Sequence, residues 1–160
     1  MRTSLITVLT ATTVLTAATI AAPSASAKAD LPFRVTFSGT ARIAAPTTSA
    51  FEGSGNATHL GRITTSGLAQ ITGITNTPCT GGVANINTEV LTAANGDTLT
   101  VTSDDVACPT GGPGQYHGTG GWVVTGGTGR FANTSGSGYL DGHSDFAAGT
   151  FEATLTGTIS

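Results

Sequence analysis

Charge is scarce in this 160-residue chain. Only 9% of its residues are Asp, Glu, Lys or Arg, and Lys28 is its single lysine. Six basic residues stand against nine acidic ones, for a formal net charge of −3. Without a cationic surface to neutralise phosphates, nucleic acid is excluded as a partner. Large aliphatic side chains are also few: Leu, Ile, Val and Phe supply 26 of the 133 residues from Lys28 onward. Such a shortage can signal disorder, but disorder goes with high net charge, which this chain lacks. Several catalytic signatures are missing as well. There is no Gly-x-Ser-x-Gly elbow, no Cys-x-x-Cys and no His-Glu-x-x-His, and with no lysine beyond residue 28 a Schiff-base or phosphate-loop chemistry has no residue to use. No cofactor is implied.

What the chain does have begins with an export segment. Arg2 is the only charge before Lys28, Leu5 to Ala22 is apolar apart from threonines, and Ala25-Ser26-Ala27 supplies small residues for a signal peptidase. Residues 1–27 are therefore expected to be a secretory signal cleaved after Ala27. The threonines weaken the alternative of a retained anchor helix. Residues 28–160 are expected to form one secreted, extracellular domain with no membrane span after cleavage. In that compartment Cys79 and Cys108 are expected to pair. The bridge closes a loop of about 30 residues, worth roughly 3–4 kcal/mol on the chain-entropy account.

Alternation with period two dominates the rest. Phe33, Val35, Phe37, Gly39, Ala41 and Ile43 share one face, and Phe151, Ala153, Leu155, Gly157 and Ile159 do the same at the far end. The pattern predicts eight strands, at 33–43, 57–64, 66–73, 82–92, 97–106, 115–125, 135–146 and 151–159. Residues 44–56 and 110–114 read as loops. Taking Asn95-Gly96 as a two-residue turn, facing residues sum to 191, so Val90 faces Val101 and Cys108 faces Val83. Ile86, Thr88, Val90 and Thr92 then share a face with Leu99, Val101 and Ser103. A closed antiparallel barrel suits eight such strands and removes sticky edges. A two-sheet sandwich satisfies the same alternation.

Three stretches carry a family resemblance: Thr58-His59-Leu60-Gly61-Arg62, Leu91-Thr92-Ala93-Ala94-Asn95-Gly96-Asp97, and Val124-Thr125-Gly126-Gly127-Thr128-Gly129-Arg130-Phe131. The third, with Ala132 and Ser135-Gly136 after it, resembles the Val-x-Gly-Gly-Thr-Gly-Lys/Arg-Phe segment of plant dirigent proteins, which share an eight-stranded barrel with allene oxide cyclases. Together the three look like small exported bacterial proteins of that barrel class. The resemblance implies an all-β, closed eight-stranded antiparallel barrel, and trimers or other oligomers are common in such families. It also implies a lumen that holds a reactive organic intermediate and dictates its closure. No catalytic residue of those families maps securely onto this chain. The glycines of the third stretch read as a device for a sharp turn that lets Phe131 tuck under a barrel end.

Residues with chemistry are few. Tyr139, Asp141, His143 and Asp145 share one strand face, opposite Leu140, Gly142, Ser144 and Phe146. Turned inward, that face offers an acid–base cluster, or a metal site from Asp141, His143 and Asp145. Solvation is the expected state, because burying two carboxylates without partners is expensive. An inward Arg62 would need a carboxylate such as Glu89. The catalytic candidates are thus Arg62, Glu89, Asp141 and His143, and the ligand-binding candidates His59, Trp122 and Tyr139. Three functions fit: non-covalent binding of a small apolar molecule, a dirigent-like or cyclase-like enzyme, and a structural or interaction protein with a filled barrel.

Overall fold

A computed structural model describes residues 29–160; the expected leader, residues 1–27, lies outside them. The alternating pattern folds into eight antiparallel strands: β1 (Leu31–Ala45), β2 (Thr48–Ala57), β3 (Gly61–Thr75), β4 (Gly82–Ala93), β5 (Thr98–Pro109), β6 (Gln115–Gly127), β7 (Gly136–Asp145) and β8 (Thr150–Ile159). Each pairs with its neighbours in sequence, and β8 returns to pair with β1. The sheet is a closed barrel, and the sandwich alternative falls. No helix among the described residues is long and apolar enough to cross a membrane.

Two expected boundaries are wrong. Residues 44–56 were expected to be a loop but contain β2, and the strands expected at 57–64 and 66–73 belong largely to the single strand β3. Glycine caused both errors. In β2, Gly53 and Gly55 lie opposite Gly39 and Phe37 of β1. A Cβ on Gly55 would collide with the Phe37 side chain and the Thr36 carbonyl. These glycines make room for packing, with no turn intended. The same holds for Gly67 within β3, which faces Glu89.

The β4–β5 hairpin departs from the expected register by one residue. Its loop has three residues, Ala94, Asn95 and Gly96. The Gly96 N–H donates to the Ala93 carbonyl and the Ala93 N–H to the Asp97 carbonyl, both at 2.9 Å. Gly96 has φ +87°, the left-handed conformation such a turn needs at its last position. Facing residues therefore sum to 190, with Leu91 opposite Leu99 and Glu89 opposite Val101. A slip of one residue exchanges the faces of a strand. Asn85, Asn87, Glu89, Leu91 and Ala93 consequently share the inner face, while Ile86 is exposed.

One end of the barrel is filled. Phe33, Val35, Leu60, Ile63, Leu91, Leu99, Trp122 and Leu155 pack there. Gly138 and Gly157 face each other beside Trp122, and a Cβ on Gly157 would reach the indole at 2.8 Å. The Trp122 indole N–H lies within 3.2 Å of the Tyr139 and Thr156 carbonyls, and its ring meets Phe33 edge-on at 5.6 Å. Phe131, carried on a short 3-10 turn (Gly129–Phe131), is buried in the same core. Arg130 covers it and approaches Asp97 at 3.6 Å. At the opposite end the Cys79–Cys108 disulfide ties the β3–β4 loop to the end of β5.

Candidate functional site

Between the packed layer and the disulfide-bearing end the barrel is not filled. A cavity of about 260 Å³ lies there. Phe51, Ile71, Leu140, Phe146 and Phe151 give it largely apolar walls, with Tyr116 among them. Its polar lining includes Asn85, Asn87, Glu89 and Asp105 from β4 and β5, with Ser49, Ser144, His143 and Glu152 from other strands. Along the inner face of β4, Glu89 is the last polar residue before Leu91 and the packed end. It forms the cavity floor.

Glu89 is fully buried, and its Oε2 has no hydrogen-bond partner. The facing residue on β3 is Gly67, where a Cβ would meet the Glu89 Cγ at 2.8 Å. Glycine at 67 therefore creates the space the glutamate occupies. Burial, reinforced by the nearby charge of Asp105, pushes the Glu89 carboxyl up to about 7. Asp105 is itself pushed up to about 6, by burial first; hydrogen bonds from Asn87 and Asn85 pull it down, and Asp104 pushes it further up. Asn87 Nδ2 donates to Asp105 and to Ser103 Oγ. Asn85 Nδ2 donates to the Val83 carbonyl at 2.9 Å. Arg34, Arg42, Arg62 and Arg130, the arginines among the described residues, are all exposed. No guanidinium balances the two carboxyls. A carboxyl poised near neutrality in an apolar cavity can donate or accept a hydrogen bond, exchange a proton, or pair with a cation.

Of the four catalytic candidates, Glu89 alone is buried in the cavity. Arg62 is exposed, so the Arg62–Glu89 pair does not form: β3 starts only at Gly61, and the interior face runs through Ile63 and Thr65. Asp141 is exposed on the outer face of β7. His143 is exposed too, stacked on His117 at 4.4 Å between ring centres, and touches only the cavity margin. Among the ligand-binding candidates, His59 sits in the β2–β3 turn with φ 67° and its Nε2 3.0 Å from the Pro32 carbonyl. Trp122 is in the packed end, and Tyr139 is half-exposed on the outer surface. None of these three lines the cavity.

The metal grouping is also rearranged. Asp145 is engaged by the Ala148 N–H and the Gln115 amide, and the hydrogen bond from Ala148 leads in holding its carboxyl below the usual range. In its place His117 joins Asp141 and His143, with their donor atoms within 4.8 Å of one another. His117 Nε2 and Asp141 Oδ2 are 3.0 Å apart. Nitrogen and oxygen donors of this kind suit a late first-row divalent ion. The group lies outside the barrel, away from the Glu89 floor.

Asp105, Asn85, Asn87 and Tyr116 escape notice in the sequence. The two-residue turn puts Asn85, Asn87 and Glu89 on the face opposite Leu99 and Val101. The signal that would have recovered them is the Ala93-Ala94-Asn95-Gly96-Asp97 stretch read as a three-residue loop. Compared with protein families, with curated proteins and with solved structures, the chain matches none.

Proposed function

We propose that this chain is an exported barrel that binds a small, largely apolar molecule non-covalently in the cavity at its disulfide-bearing end. The observation that carries the reading is the half-filled lumen. One end is packed with large side chains, whereas the other keeps about 260 Å³ between aromatic walls, with an unpartnered buried carboxyl at the floor. Small-molecule sites combine largely apolar walls with a few placed polar groups in this way. A cavity of about 150 Å³ holds benzene, so this one suits a molecule of roughly two fused rings. A barrel serving only as a structural unit would gain stability by filling the space.

The test is a titration of the 15N-labelled protein with 2-naphthol followed by NMR. Binding shifts the amides of Glu89, Asp105, Tyr116 and Phe146 and leaves the Trp122 indole N–H in place, because Trp122 lies in the packed end. No shifts at those amides up to millimolar ligand contradicts the reading.

One observation favours a second reading. A carboxyl near 7 in an apolar lumen is suited to general acid–base work. A dirigent-like or cyclase-like enzyme would use Glu89 to steer a reactive intermediate, with cavity shape providing the rest. Glu89→Gln would then abolish turnover.

A further inference from the structure

We propose that the cavity selects a monocationic amphiphile, an alkyl- or arylalkylamine whose ammonium is held by Glu89 with Asp105 beside it, over neutral or anionic molecules of the same shape. This rests on the ligand-site reading above and names the chemical class.

Three features of the lumen carry the inference. Its two buried ionisable groups are both carboxyls, and every arginine among the described residues is exposed. Glu89 Oε2 faces no donor from the protein. The amides that could have served it are already engaged: Asn87 on Asp105 and Ser103, Asn85 on the Val83 carbonyl. A neutral hydroxyl would bond to the Glu89 carboxyl but leave the repulsion between the two acids in place. An ammonium offers several donors and also offsets that repulsion. An anion would add to the negative charge of the pair in a largely apolar cavity. Aromatic side chains around the site are compatible with a cation, through the faces of Phe and Tyr rings.

Proton balance follows. At neutral pH the pair shares a proton, because burial and mutual repulsion resist full ionisation. Binding R-NH3+ stabilises the carboxylate and releases the shared proton to the buffer, leaving R-NH3+ against COO−. The titratable groups around the cavity are Asp105 from β5, with Asp104 acting on Asp105 from the outer face, and Tyr116 of β6 in the wall; His143 of β7 and Glu152 of β8 stand at the margin.

The experiment compares 2-naphthylmethylamine, 2-naphthylmethanol and 2-naphthoate by isothermal titration calorimetry at pH 7. The amine is expected to bind at least tenfold more tightly than the alcohol, and the carboxylate at least tenfold more weakly. In two buffers of different ionisation enthalpy, amine binding should release protons and alcohol binding should not. Glu89→Gln should bring the amine to within threefold of the alcohol in the same variant, and Asp105→Asn should narrow the gap partway. Equal affinity of amine and alcohol in the unmodified protein overturns the inference while leaving the ligand site standing. So does a preference that survives in both variants. If none of the three binds, the ligand-site reading falls and this inference falls with it.

Discussion

Replacing Glu89 by glutamine removes a buried charge with little change of shape, and the consequence is a stability that depends on pH. The carboxyl sits at about 7 when folded against an ordinary value of 4.5. A raised acid binds its proton more tightly in the folded state than in the unfolded one. Its stabilising effect is complete below 4.5, declines as pH rises and is gone above about 7. A shift of about two and a half pH units at 1.36 kcal/mol each amounts to about 3 kcal/mol. Asp105 contributes in the same direction over a lower window, from 3.8 to about 6. The glutamine amide brings donors of its own that the lumen does not satisfy, which offsets about 1 kcal/mol. Net, the variant should be about 2 kcal/mol more stable than the parent at pH 8 and no more stable at pH 4. Urea denaturation at pH 4 to 8, read by the fluorescence of the single tryptophan in the packed end, measures this directly. The parent's midpoint should fall across pH 4.5–7, and that of Glu89→Gln should fall less and mostly below pH 6. A parent whose midpoint is flat or rises over that interval would refute the reasoning, as would a variant that falls as steeply as the parent.

Other perturbations have expected outcomes of their own. Removing the disulfide with the Cys79→Ala/Cys108→Ala pair frees a 29-residue separation and should lower stability by roughly 3–4 kcal/mol in urea melts. Trp122→Ala removes the largest fully buried side chain and should cost about 3–5 kcal/mol in urea melts followed by far-ultraviolet circular dichroism, since the fluorescent probe is gone. Gly67→Ala places a methyl against the Glu89 side chain and the Thr88 carbonyl; it should destabilise by about 1–3 kcal/mol and weaken 2-naphthol binding. A Gly67→Ala protein that binds as the parent does would show that Glu89 is not at the ligand.

The closed barrel was legible because alternation in β1 and β8 is unbroken from Phe33 to Ala41 and from Phe151 to Ile159. Where glycine takes inward positions, alternation fades and composition imitates a loop, which is why β2 and the middle of β3 were misread. The stretches behind the dirigent resemblance have a common location. Thr58–Arg62 spans the β2–β3 turn and the first residues of β3, and carries buried Leu60. Leu91–Asp97 spans the β4–β5 turn, and Val124–Phe131 leads out of β6 to the buried Phe131. All three are at the packed end, so they bear on how the barrel closes and carry no information about the cavity. The cavity depends instead on one residue of register. With a two-residue turn Glu89 falls on the face opposite Leu99 and Val101; with the three-residue loop closed by Gly96 it joins their face as the floor of the lumen. Glu89 was noticed in the sequence only as a partner for Arg62, and the pairing fails because Arg62 faces solvent. Asp105 shares the face of Leu99, Val101 and Ser103 in either register, and what the two-residue turn hides is its neighbours Asn85, Asn87 and Glu89.

The most direct test of the ligand-site account is native mass spectrometry of the protein purified from the medium of its own host, beside an Ala107→Phe variant whose ring would occupy the cavity. The account predicts a retained small molecule on the parent, released on unfolding and missing from the variant. A parent with no retained mass, and with an unchanged melting temperature across apolar amines and alcohols, would contradict it.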